Sequence, residues 1–483
     1  MTFLRFCGML AFVWVSARIY RKGALPPPFR GVFCLMQQKS KIQLSDHFTY
    51  SLLFRFTLPS IVMMVFTSIY GVVDGYFVSN FAGSTAFAAI NLVMPFIMIL
   101  GGMGFMIGTG GTALVSRKLG EGDPEKANRY FSMMILLTVI LGVVLSIAGL
   151  IFMEPISLLL GATEEMLPYC VLYGRINIGF TVTFMLQNVF QSFLIAAEKP
   201  KLGLITTVAA GCTNMVLDAL FVGVLPWGVA GAAIATGLSQ LVGGVIPLIY
   251  FLRPNDSPLR LRPAKLEARP ILQACANGSS ELMSNISSSL VSMLYNFQLL
   301  KYLGENGISA YGVLMYVQFI FIAIAVGYSI GSAPVISFHY GALHYDELKN
   351  MLKKSVLLTG IAGIVLSVLA WLLAPTLAGI FVGYDAALLE LTIHAFRLFC
   401  FSFLLSSFNI FVSSFFTALN DGGVSAAVSF LRTLVFQTSA VLFLPVLLNS
   451  SDGIWLANMA AEICAFVISI LFLLTKRKKY RYF

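Results

Sequence analysis

A few ionisable side chains sit inside long apolar runs of this chain, and they are the residues best placed to do chemistry. Asp74 lies in SIYGVVDGYFVSN, Asp218 in GCTNMVLDALF and Glu281 in NGSSELMSN, while Glu462, Arg175, Arg397 and Arg432 occupy other apolar runs. At the centre of a membrane-spanning helix such a group costs about 2.5–3.5 kcal/mol, so an acid held there is by default a functional candidate. Asn214 precedes Asp218 by four residues, which puts both on one helix face. That face presents an amide carbonyl beside a carboxylate, hard oxygen ligands suited to Na⁺ or to a shared proton. Thr236, in GAAIATGLS on the next run, can add a hydroxyl. Two carboxylates in one dry pocket repel, and a bound proton or Na⁺ relieves the repulsion. Asp74 and Asp218 together with Asn214 and Thr236 are therefore the candidate coupling-ion site. The plainer alternative is that Asp74 or Asp218 only hydrogen-bonds neighbouring helices.

The composition says what must hold these groups in place. The chain has 483 residues, 58% hydrophobic and 11% charged, with a mean hydropathy of +0.88. Soluble chains are about a quarter charged, so a soluble enzyme is excluded, and the same apolar excess excludes disorder. A bilayer crossing takes about 20 mainly apolar residues. From residue 51 onward the chain offers twelve such runs, at roughly 52–79, 86–115, 131–152, 168–196, 202–225, 228–252, 272–300, 307–337, 352–373, 388–418, 424–447 and 454–475. Lys and Arg crowd the even-numbered connections and both ends, whereas the odd-numbered connections together hold only Lys301. That bias predicts cytoplasmic termini. It also makes the net charge of +10 an orientation signal and not the mark of a nucleic-acid partner.

The sixth connection, RPNDSPLRLRPAKLEARP, divides the helices six and six, and the halves echo each other. A shift of 221 pairs Gly110 with Gly331, Ser116 with Ser337 and Gly120 with Gly341; a shift of 222 pairs Arg175 with Arg397 and Ala196 with Ala418. Six helices is an even number, so the second copy re-enters from the same side and the repeat is parallel. The expected fold class is an all-α polytopic membrane protein, with twelve transmembrane helices in two pseudosymmetric six-helix lobes around a central cleft. Its parts are a cytoplasmic extension at 1–50, an N-lobe at 51–252, a cytoplasmic linker at 253–270, a C-lobe at 271–475 and a basic tail at 476–483. Within the extension the apolar run 6–17 is too short to span, and Met36 reads as the true start.

Four segments, in order, resemble the multidrug and toxic compound extrusion (MATE) family of secondary transporters. They are LPSIVMMVFTSIYGVVDGYFVSNFAGSTAFAAINLVMP at 58–95, GTGGTALVSRKLGEGDPEKANR at 108–129, NMVLDALFVGVLPWGVAGAAIATGLSQ at 214–240 and the second-half echo IGSAPVISFHYGA at 330–342. The resemblance covers about residues 45–475. It implies export of amphipathic, often cationic, organic compounds by antiport with Na⁺ or H⁺. It also implies that Asp74, Asn214, Asp218 and Thr236 form the family's N-lobe cation site and that Pro59 is a hinge in the first helix. From the residues alone, Pro59 only removes a backbone hydrogen bond, and a static kink fits equally. Some branches of the family carry a second acid in the tenth helix, where this chain has Asn409. Glu281 is accordingly read as a substrate contact; its alternative is a packing carboxyl bonded to Ser279, Ser284 or Asn285. Tyr295, Gln298, Tyr311, Tyr316 and Gln318 add polar-capable positions to the same C-lobe cleft.

Other motifs reduce to structure. GTGGTALVSRKLGEGD lacks the GK[ST] ending of a phosphate loop, so the energy source is read as an ion gradient. The seven Cys are scattered and form no CxxC or Cys/His cluster. His339 and His344 fall in a turn and are expected to be solvated. The expected partners are drug-like small molecules and the lipid bilayer, with no cofactor beyond the coupling ion and the monomer as the working unit. A flippase for lipid-linked carbohydrate is the second reading, disfavoured by the few internal Arg.

Overall fold

The computed structural model describes residues 42–81 and 84–483; Met36 and the run 6–17 lie outside the described residues. The helices are α1 (Tyr50–Phe81), α2 (Ser84–Gly120), α3 (Pro124–Leu159), α4 (Leu167–Gly179), α5 (Thr181–Ala196), α6 (Pro200–Asp218), α7 (Gly228–Leu252) and α8 (Ala268–Gly341). They continue as α9 (Tyr345–Val382), α10 (Ala386–Phe399), α11 (Phe403–Ala418), α12 (Gly422–Phe430), α13 (Gln437–Leu447) and α14 (Asp452–Tyr480). Local chemistry starts several of them. Pro124 opens α3 behind Asp123, whose carboxylate accepts from the Lys126 N–H at 3.0 Å. Asp385 caps α10 by accepting from the N–H groups of Ala387 and Leu388.

Among the described residues, ten continuous helical stretches are long and apolar enough to cross a bilayer, and α4 with α5, bent by 55°, makes an eleventh. The twelfth is hidden in α8, which crosses twice. At Gly304 φ is 65° and ψ is −154°, and the chain folds back so that the rings of Tyr295 and Tyr311 stack at 4.9 Å. A straight helix rising about 1.5 Å per residue would hold those rings more than 20 Å apart. A positive φ of this kind costs glycine nothing and other residues a good deal.

The two six-helix lobes meet through the arms of α8. Its first arm, 268–303, lies on α2, and its second, 305–341, lies on α1 and α2. Glycine sets the distance. A Cβ on Gly120 would fall 2.0 Å from the Phe338 carbonyl oxygen, and one on Gly341 would fall 2.1 Å from that of Arg117. Since 341 and 338 are 120 and 117 each moved by 221, the contact is reciprocal, as a twofold axis requires. A second reciprocal set joins Gly110 to Ala274 and Gly331 to Thr57, and Gly278 to Met106 and Gly327 to Ile61. Here the first helices of the repeats are related by 217 instead of 221, because the two lobes differ by four residues in that region.

The even-numbered connections and both described ends share one face. The Leu44 N–H donates to Glu198 at 2.9 Å, Tyr480 donates to Asp421 at 2.5 Å, and the connection 253–267 is pinned to α3 by Asn128 and Ser132. On the same face, Glu347 accepts from the Phe48 N–H at 2.9 Å and pairs with His47 at 2.6 Å. His339 proves buried at 2% exposure, its Nδ1 3.4 Å from that of His344, which corrects the expectation of a solvated side chain. It belongs to the last turn of α8, where that helix packs against α2 and the chain before α1.

Gly278→Val forces a side chain against the Met106 carbonyl, only 1.9 Å from the Cβ position. Such overpacking costs about 1–3 kcal/mol, read as a lowered melting temperature in detergent. Gly360→Ala, which meets nothing within 4 Å, leaves stability equal or higher. At Glu347 burial pushes the carboxyl up, but hydrogen bonds from the Phe48 N–H, Asn350 and His47 outweigh it and hold the group below the usual carboxylate range. Its stabilisation is therefore present above that range and lost as pH falls through the lower folded value. Glu347→Gln at neutral pH should speed hydrogen exchange of the Phe48 amide about tenfold, the loss of one charge-assisted hydrogen bond.

Candidate functional site

Polar side chains gather in two places, one inside the N-lobe and one between the lobes. In the N-lobe, α6 packs between α1 and α7. Asp74 comes from α1, Asn214 and Asp218 from successive turns of α6, and Thr236 from α7. The structure brings these four residues together, with the Asp74 carboxyl facing the side chains of Asp218, Asn214 and Thr236. Asp218 is 0% exposed and Asn214 1%. Yet one Asp74 oxygen, both Asp218 oxygens, both polar atoms of Asn214 and the Thr236 hydroxyl are buried without a hydrogen-bond partner. The groups face one another closely, yet among the described residues these six atoms form no donor–acceptor hydrogen bond. An unmade buried hydrogen bond costs about 1–3 kcal/mol, and six orphan atoms in one spot suit a small cation or proton that all of them can face.

Residues not singled out from the sequence complete this cluster. Tyr70, one turn before Asp74, reaches Gln187 of α5, and Tyr173 of α4 faces both acids with Asn177 beside it. Phenols and amides carry no charge, so the insertion cost that exposed the acids gave no signal for them. Directly after Asp218 the helix widens into a π-helical turn, Ala219–Val224, a form frequent at functional sites. Pro59 lies within α1, which runs unbroken from Tyr50 to Phe81.

The second place is a cavity of about 680 Å³ between the lobes, within the range of drug-sized ligand sites. Glu281 lines it, as do Tyr311 and Gln318, together with methionines 94, 98, 293 and 315 and the hydroxyls of Ser284, Ser288 and Ser413. Tyr295, Gln298, Tyr316 and Asn409 are not among its lining residues. Tyr295 is fully buried behind Tyr311, and Tyr316 stacks on Phe381 with its hydroxyl near Gly75, beside the N-lobe acid. Asn409 donates to the carboxylate of Glu462 at 2.6 Å and to its carbonyl at 3.0 Å, and Glu462 pairs with Arg432 at 3.3 Å. The lobes are thus unlike at their centres. At the repeat shifts of 217 and 222, the positions matching Asp74 and Asp218 hold Val291 and Ala440.

A twelve-helix, two-lobed membrane protein with a drug-sized central cavity is the architecture of a secondary transporter. The MatE family model matches residues 59–220 and 282–441, one block in each lobe. The chain belongs to this family of membrane transporters and is not an enzyme. It is 27% identical over 429 residues to a multidrug export protein, MepA, of Staphylococcus saprophyticus, covering 87% of this chain and 93% of that one. The MepA of Staphylococcus aureus is 24% identical over 432 residues, covering 89% and 94%. In fold it is similar to the outward-facing form of a multidrug resistance MATE family transporter, with a TM-score of 0.86 and 22% identity over 92% of this chain and all of that one. A transporter of the same superfamily from Pyrococcus furiosus, described as having a binding pocket of reversed polarity, gives a TM-score of 0.82 at 23% identity, covering 91% and 99%.

The orphaned acids make a stability prediction. Asp218→Asn removes one of two like charges from a site that gives neither oxygen a hydrogen bond. The melting temperature in ion-poor buffer should stay level or rise. A fall of several degrees would mark the carboxylate as a packing group instead.

Proposed function

We infer that the protein exports amphipathic, chiefly cationic organic compounds from the cell by antiport with Na⁺ or H⁺. What carries the reading is the set of orphan oxygens around Asp74 and Asp218, placed in a lobe of their own and apart from the large cavity lined by Glu281. The names of the staphylococcal relatives, both multidrug export proteins, support the substrate class.

In this reading Asp74, Asn214, Asp218 and Thr236 hold the entering ion, and its positive charge removes the repulsion between the two carboxylates. Relief of that repulsion favours one packing of α1 against α6 and α7; substrate at Glu281 favours the other. The moving bodies are the lobes 51–252 and 271–475, hinged through the connection 253–270 and with Pro59 giving α1 freedom to bend. Glycine contacts such as Gly120 on Phe338 can open and reclose because they involve no interlocked side chains. With the termini cytoplasmic, as the Lys and Arg bias indicates, each cation that enters releases about 2.3 kcal/mol per 100 mV. The same reading takes a single chain as the working unit, since both sites are built from one copy.

The test is efflux from proteoliposomes with Na⁺ and pH gradients imposed one at a time. One gradient should drive efflux of a cationic dye in the wild type. Asp74→Asn and Asp218→Asn should each lower gradient-driven efflux at least about a hundredfold while dye affinity changes by less than about threefold. Full efflux by either variant would remove these acids from the mechanism.

A further inference from the structure

Among the described residues lining the central cavity, Glu281 and Arg432 are the charged ones. Arg432 is not free to answer Glu281 alone. Its Nη1 lies 3.3 Å from Oε1 of Glu462, a residue only 6% exposed and set behind the cavity wall. The other Glu462 oxygen accepts from Asn409 at 2.6 Å, and Ser469 in turn donates to the Asn409 carbonyl at 3.2 Å. The Glu462 carboxylate is thus bonded on one side by an amide and on the other by a guanidinium. The charge of Arg432 also reaches Glu281.

Three ionisable groups, the acids Glu281 and Glu462 and the base Arg432, therefore share one apolar region, and their formal charges sum to −1. A net charge left in such surroundings is costly, so the occupant that suits the cavity best is the one that returns the sum to zero. We propose that the Arg432–Glu462 pair is a built-in counter-ion that fixes the charge preference of the cavity, selecting organic monocations over dications and zwitterions. Without Arg432 the acids would sum to −2 and call for a dication. Without the Glu462 charge the sum would be zero, and a zwitterion could place its amine on Glu281 and its carboxylate on Arg432. This inference rests on the efflux reading above and names the substrate class of the same cavity.

Binding to the purified full-length protein reads the preference directly, with three probes: tetraphenylphosphonium, a bis(triphenylphosphonium) alkane and a zwitterionic fluoroquinolone. The wild type should prefer the monocation. Arg432→Gln should raise the dication-to-monocation affinity ratio about tenfold, and Glu462→Gln should raise the zwitterion-to-monocation ratio by a similar factor. The double variant Arg432→Gln/Glu462→Gln restores a sum of −1 and should restore the wild-type order. A merely structural pair would instead weaken all three probes together. If a single variant fails to fold, Arg432→Lys and the double variant carry the test, since both keep the sum at −1; a changed order in either overturns the proposal. Unchanged affinity ratios in the folded single variants overturn it as well. A wild type that binds none of the three probes would instead remove the efflux reading itself.

Discussion

In the interior of a bilayer there is no water to complete a hydrogen bond, and every other feature of this molecule depends on that constraint. It forces the backbone into helices, because only a helix satisfies its own N–H and C=O groups across the span. It also gives meaning to any side chain left unsatisfied. Many buried hydroxyls here bond back to their own helix, as Thr138 does to Met134 at 2.8 Å and Thr392 to Leu388 at 2.7 Å. Buried polar atoms without a partner occur elsewhere too, but the six around Asp74 and Asp218 are gathered on three packed helices and include both acids. A site that binds and releases an ion cannot also satisfy itself when empty.

The C-lobe meets the same constraint in the opposite way. Where the N-lobe leaves two acids unanswered, the C-lobe supplies its acid with a permanent cation, Arg432, and an amide, Asn409. A guanidinium cannot lose its charge in a protein, so that pair does not depend on any ion gradient. One parallel repeat thus yields a lobe whose two acids have no fixed counter-charge and a lobe whose acid has one. The division suits a machine in which one half senses the driving ion and the other contributes a constant charge to the substrate cavity.

How much of this was legible in the sequence depends on what each feature costs. Twelve spans were legible because apolar length is unavoidable, and Asp74 and Asp218 because charged groups in a span are rare, with Asn214 and Thr236 picked out only by their place beside Asp218. The repeat was legible at Gly110, Gly120, Gly331 and Gly341, since nothing larger fits where backbones touch at about 2 Å from a Cβ position. The four-residue difference between shifts of 217 and 221 was not, because the contacts that reveal it lie between α2 and the first arm of α8 and between α1 and its second arm. Tyr70, Tyr173 and Gln187 were missed because uncharged polar residues are common in membrane helices. The expectation for His339 failed because the turn it was assigned to is the buried last turn of α8.

Asn409 shows why the pairing of residues is harder to read than their presence. In sequence it is a neutral residue where some relatives carry an acid, which suggests a lost site. In space its amide holds Glu462 from the twelfth span, 53 residues later, and through it Arg432 from the eleventh. In this chain the acid of that region stands on a facing helix, beside a fixed counter-charge. Charge within the membrane is therefore better counted over a cluster than along a helix. Glu281, Arg432 and Glu462 come from three different spans, yet they act on one cavity, and only their sum bears on what enters it.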